Sequence, residues 1–228
     1  MSNGRPSPRV SVNQLATYLV ASPSQRRRLI HTAKYPPTFM VNWYDFARKA
    51  ITHFIAGGMN NETILTTEVT RLYGLPAAND YEESRNRTNA EALEGFLDCY
   101  DQIEISGLTV QQAPNSAPAL AIQGVDISVR PDFLMSGAYR NQNCAGGIKL
   151  YFSKDDPLTT DSAPYITAVV MLHVQNHCLP PGHSARHANC QVVDVFARRV
   201  HAAPRAITRR FQDIDVACQE IVLWWPTV

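Results

Sequence analysis

The sequence predicts a mixed α/β (α+β) domain with a helical N-terminal extension, and three observations carry the prediction. The first 79 residues hold apolar side chains at helical spacing between marked starts and stops; residues 105–152 change to strand-like alternation. After them a helix, a strand and a last helix follow, so the order from residue 80 is helix, three strands, helix, strand, helix. The chain is therefore divided into a helical region, 1–79, packed on a core, 80–228.

Ser11 with Gln14, and Ser22 with Gln25 followed by Pro23, have capping-box spacing and open helices at about 12–19 and 23–32. A third helix, 43–55, is read from Trp43, Phe46, Ala47, Ala50, Ile51 and Phe54, with Gly57-Gly58 closing it. A fourth runs from Asn61 to Gly74. In a fifth, 81–100, Leu93, Phe96, Leu97 and Tyr100 share one face and Glu91, Glu94 and Asp98 the other.

Strands are expected at 108–112, 119–133 and 148–152, with a polar loop between the last two. In "VDISVRPDF" the alternation puts Asp126, Ser128, Arg130 and Asp132 on one side; in the next strand Gly147, Lys149 and Tyr151 lie opposite Ile148, Leu150 and Phe152. Asp132 and Lys149 can then meet over one polar face. A helix at 164–177, a strand at 191–199 and a helix at 204–225 complete the order.

Composition bounds the function. No apolar run approaches the ~20 residues of a membrane span and the start of the chain lacks the apolar segment of a signal peptide, so a soluble, cytoplasmic protein without membrane contact is expected. Five scattered cysteines do not make a disulfide framework. Net charge is +1, but it is unevenly placed: eight Lys/Arg in the first fifty residues face Asp45 alone, and Arg198, Arg199, Arg205, Arg209 and Arg210 meet no acid between 198 and 210. Such stripes, with Arg26, Arg27 and Arg28 at the front, suit a phosphate backbone; they equally suit ordinary solvated helix faces.

Pro131-Asp132 before the turn and Gly147-Ile148-Lys149 after it, in this element order, resemble the core of the PD-(D/E)XK nuclease superfamily over roughly residues 85–225. The resemblance implies a Mg²⁺ (or Mn²⁺) site that hydrolyses DNA. Asp132 would be a first ligand, the carbonyl of Ile148 another, and Lys149 would orient the attacking water. The chain departs from the pattern where the second acid is expected, because Gly147 stands there. A carboxylate relocated to the 81–100 helix would replace it, Glu94 first and Glu91 second; Asp126, Asp155 and Asp156 are rivals.

Two functions follow from the resemblance: a metal-dependent nuclease, of the kind that serves in defence against foreign DNA or in repair, or the same fold with a decayed site acting as a DNA-binding or scaffold subunit. A protein partner or a homo-oligomer is compatible with both. A third reading uses His173, His177, His183, His187 and Cys190, with Cys178 among them, as a zinc site; His173/His177, and His183/His187 if helical, are one turn apart. Trp224-Trp225 reads as an apolar anchor.

Overall fold

A computed structural model describes residues 4–37, 42–105, 107–114, 116 and 118–228. Its elements are β1 (Arg9–Ser11), α1 (Val12–Val20), α2 (Pro23–Lys34), α3 (Asp45–Ala56), α4 (Thr63–Gly74), α5 (Asp80–Leu97), β2 (Leu108–Gln112), β3 (Leu120–Ile122), β4 (Val125–Ser128), β5 (Phe133–Tyr139), β6 (Gln142–Tyr151), α6 (Ala163–His173), β7 (Ser184–Asp194), β8 (Arg199–Ala202) and α7 (Thr208–Trp224). The class is mixed α/β, with two mixed sheets and seven helices among the described residues.

The larger sheet has the order β2-β5-β6-β7-β8. Strands β2, β5 and β6 run antiparallel in turn, β7 lies parallel to β6, and β8 closes antiparallel to β7. Parallel neighbours need a crossover, and α6 supplies it. The smaller sheet, β1-β4-β3, pairs the start of the chain in parallel with β4.

Two apolar clusters cover the two faces of the larger sheet. One joins Cys190, Val192 and Tyr151 to Val169 and Val170 of α6, to Ile214 and Ile221 of α7, and to Leu15 and Ile127. The other joins Phe133, Ile148, Leu150 and Val193 to Ile51 and Phe54 of α3, Leu65 of α4 and Leu93 and Phe96 of α5. Helix α5 sits close because Gly95 has no side chain: a Cβ there would lie 2.3 Å from the carbonyl oxygen of Val195.

The two capping-box starts match the sequence, while the last helix begins at Thr208 rather than 204. Ser11 Oγ accepts from the Gln14 N–H at 3.2 Å while Gln14 Oε1 accepts from the Ser11 N–H at 2.9 Å, and the Ser22 N–H donates to Gln25 Oε1 at 3.0 Å. The strands differ in four places, the first being β1, which the sequence does not announce. The expected strand 119–133 is a β3-β4 hairpin, turned at Gln123-Gly124 with φ of 48° and 80°, that belongs to the smaller sheet. The expected loop after Asp132 is instead a long hairpin, β5 to β6. Its two-residue turn is Arg140-Asn141, both with positive φ (49° and 63°), a backbone that matches strand twist. Last, the strand expected at 191–199 begins at Ser184 and turns back into β8.

Candidate functional site

The hairpin register sets the site. Phe133 pairs with Ile148, which leaves Asp132 facing Lys149 one step beyond the end of β5. The backbone of Asp132 is held twice: its N–H donates to the Ile148 carbonyl at 2.7 Å, and its own carbonyl accepts from the Ala113 N–H at 2.9 Å. Its side chain, 9% exposed, is held twice as well. Oδ2 accepts from the Leu150 N–H at 2.7 Å, and Oδ1 is ion-paired with the Arg48 guanidinium.

Arg48 arrives from α3. That helix is seated on α5 by Asn89, fully buried, whose Oδ1 accepts from the Ala47 N–H at 2.9 Å and whose Nδ2 donates to the Trp43 carbonyl at 2.8 Å. The Arg48 guanidinium also lies 5.0 Å from the centre of the Phe152 ring, which stacks on Tyr44. Burial lowers its pKa, and the neighbouring Asp45 acts in the opposite direction.

Lys149 donates from Nζ to the Arg130 carbonyl at 3.3 Å. Burial, then the charges of Arg48 and Arg130, bring its pKa down to about 8. Three cationic side chains thus lie together, Arg48 and Arg130 near enough for their charges to act on Lys149, and one of them, Arg48, is paired with the carboxylate. The ion pair answers one charge; Lys149 and the exposed Arg130 leave the place positive overall.

Gly147 faces the other way in chemical terms. A Cβ there would meet Val174 Cγ2 at 3.1 Å and Val170 Cγ1 at 3.4 Å, both on fully buried residues. The position expected to hold a second acid is therefore walled by aliphatic carbons. Glu94 accepts from the Tyr73 hydroxyl at 3.1 Å and Glu91 pairs with Lys154 at 2.7 Å; both line a cavity of about 460 Å³ with Phe196, Ala197 and Arg198. Among the described residues neither makes a hydrogen bond or ion pair with Asp132 or Lys149. Asp126 lies in the smaller sheet, opposite Arg9, because the expected strand breaks before Asp132. Asp155 and Asp156 are exposed.

The Mg²⁺ that the resemblance implies finds little to hold it. Both oxygens of Asp132 are engaged, the Ile148 carbonyl already accepts from Asp132, and among the described residues no three His, Cys, Asp or Glu side chains gather as a metal set. The residues do not fit that ion as they stand.

The arginines form separate patches. Arg26 is committed to Glu220 at 3.0 Å and to the Tyr18 and Leu19 carbonyls; Arg27 lies over Trp224, and Arg28 is exposed. Arg198 pairs with Asp98 at 3.0 Å, beside exposed Arg199. Arg205 and Arg209 are exposed, while Arg210 bonds the Tyr165 hydroxyl and sits over its ring. The 26–28 group and the 205–210 group stand at opposite ends of α7, whose 17 residues span about 25 Å.

The histidines also separate. His173 is fully buried with neither ring nitrogen bonded, and burial brings its pKa down to about 4; His177, next along, is exposed at a ring distance of 5.1 Å. His183 and His187 are not on a helix. The segment from Ser184 is a strand, so four residues span roughly 13 Å. Cys190 is buried and its thiol is pushed up to about 12. Trp225 is buried with Nε1 donating to the Arg5 carbonyl, and Trp224 is the partly exposed one.

The residue that sequence reasoning missed is Arg48. It was one of eight basic residues at the front, and the local signal was faint: a charge wedged between Ala47 and Ile51, both of which are buried. Compared with known proteins, the chain matches no family model and no curated protein.

Proposed function

We propose that this chain is a nucleic-acid-binding protein built on a nuclease-like core, which engages the phosphodiester backbone with Arg48 and Lys149 where Asp132 meets strand β6, without depending on catalysis. The observation that carries the reading is the ion pair of Arg48 with Asp132 beside two further cations, Lys149 and Arg130, whose charges act on one another. A positively charged group of this kind binds phosphate oxygens by charge-assisted hydrogen bonds that need no base contact. The order of the larger sheet supports the nuclease-like part: α5, the strands β2, β5 and β6, the crossover helix α6, the strand β7 and the helix α7 follow the order that the PD-(D/E)XK resemblance implies, with the β3-β4 hairpin of the smaller sheet inserted. Exposed Arg27, Arg28, Arg199, Arg205 and Arg209 would extend the contact along a backbone.

Metal-dependent hydrolysis of DNA is the second reading, favoured by Asp132, just before β5, lying beside the Ile148-Lys149-Leu150 stretch of β6. Incubation of labelled single-stranded and duplex DNA with Mg²⁺ or Mn²⁺ separates the two. The binding reading expects intact DNA with every metal. Cleavage that disappears in both Asp132→Ala and Lys149→Ala would replace it by the hydrolytic one. A role in defence or repair, and a partner subunit, would follow from the DNA bound.

A further inference from the structure

We propose that Arg48 is the built-in cation of this site, standing at Asp132 where a nuclease-like site would hold a divalent ion, so that a phosphodiester is bound by arginine and lysine without metal. The inference rests on the nucleic-acid reading above and adds to it the ion that Arg48 replaces.

Three observations lead to it. Each oxygen of the Asp132 carboxylate has its own donor, Arg48 on Oδ1 and the Leu150 N–H on Oδ2. The position for a second carboxylate is glycine, backed by Val170 and Val174. And the guanidinium is a placed group: it lies over the ring of Phe152, which Tyr44 stacks upon, and Asn89 pins the helix that carries it. A guanidinium has five N–H donors in a fixed plane, so one edge can stay on the carboxylate while others reach a phosphate oxygen. Its side chain is 36% exposed, which leaves that outer edge accessible. Lys149, near enough to Arg48 for the two charges to act on each other, supplies the second positive charge.

The proposal gives Asp132 a role opposite in sign to that of a metal ligand. Here the carboxylate holds Arg48 and offsets part of the positive charge offered to phosphate; in a metal site it would recruit the cation. The experiment measures binding of a short labelled oligonucleotide, single-stranded and duplex, in EDTA and in Mn²⁺, for the wild type, Asp132→Asn, Arg48→Ala and Arg48→Lys. Mn²⁺ is also titrated calorimetrically into wild type and Asp132→Asn without nucleic acid.

Expected are equal wild-type affinities in EDTA and Mn²⁺, a gain of about threefold in Asp132→Asn, and a loss of about tenfold in Arg48→Ala with partial recovery in Arg48→Lys. Melting curves accompany each variant, and the Asp132→Asn arm stands whether or not Arg48→Ala folds. Mn²⁺ uptake that Asp132→Asn abolishes would overturn the inference while leaving the nucleic-acid reading in place; so would binding weakened by Asp132→Asn. Failure of the wild type to bind either oligonucleotide in either condition overturns both.

Discussion

Replacing Gly147 by glutamate puts back the acid that the nuclease pattern expects and asks whether the fold has room for it. The first atom added, Cβ, lands 3.1 Å from Val174 Cγ2 and 3.4 Å from Val170 Cγ1, so the wall must yield by a few tenths of an ångström. Overpacking of that size costs about 1 kcal/mol, which is the loss expected for Gly147→Ala. The carboxylate that follows enters surroundings in which Val170 and Val174 are fully buried. Burying a poorly satisfied polar group adds about 2 kcal/mol, bringing Gly147→Glu to about 3 kcal/mol. With a urea dependence of about 2 kcal/mol per M, the unfolding midpoint should fall by about 1.5 M. Equilibrium urea unfolding followed by circular dichroism, with and without Mg²⁺, measures it. An unchanged midpoint, or a Gly147→Glu protein that Mg²⁺ stabilises, would show that the position opens onto a metal site and would refute the reasoning.

Other consequences concern stability. His173, buried and unbonded, has its pKa near 4 against about 6.5 unfolded. The unfolded chain therefore binds the proton first as pH falls through that window, and about 3 kcal/mol of stability is lost between pH ~6.5 and ~4. In His173→Leu the urea midpoint should depend less on pH across this range, and an identical pH dependence would contradict the assignment. Gly95→Ala drives a Cβ to 2.3 Å from the backbone oxygen of Val195, so α5 must move off the sheet; a drop of about 3 kcal/mol is expected, read by thermal unfolding. Asn89→Ala leaves the Ala47 N–H and the Trp43 carbonyl without their buried partner, costing about 2 kcal/mol. Hydrogen exchange in that variant should quicken in α3 before the sheet.

Much of the fold was legible where local chemistry decides it. The capping boxes at Ser11 and Ser22 fixed two helix starts, and the alternation in residues 148–152 put Ile148 and Leu150 in the core with Lys149 on the opposite face. The hairpin between β5 and β6 was hidden because most residues from Ser136 to Gly147 are small or polar, and its turn is Arg-Asn rather than the Asn-Gly that announces such turns. Its glycines permit close approach: a Cβ on Gly146 would lie 2.1 Å from the Asn189 carbonyl oxygen. β1 was missed because three residues carry no periodicity, and its pairing with β4 spans more than a hundred residues.

The candidate site divides the same way. Asp132 and Lys149 lie 17 residues apart on one hairpin, so alternation alone could bring them together. Arg48 reaches Asp132 from a helix more than eighty residues earlier, and only the seat of α3 on α5 creates that contact. Pairing with Glu220, Asp98 and Asp213 likewise claims Arg26, Arg198 and Arg210, which a count of basic residues treats as free.

The most direct test of the account is the affinity of the wild type and of Lys149→Ala for labelled DNA in EDTA, across a salt series. The account predicts wild-type binding that weakens steadily with salt, and a lower affinity with a shallower salt slope in Lys149→Ala, because one phosphate contact has gone. Equal binding by both proteins, or none by the wild type at low salt, would contradict the claim that this strand pair meets the nucleic-acid backbone.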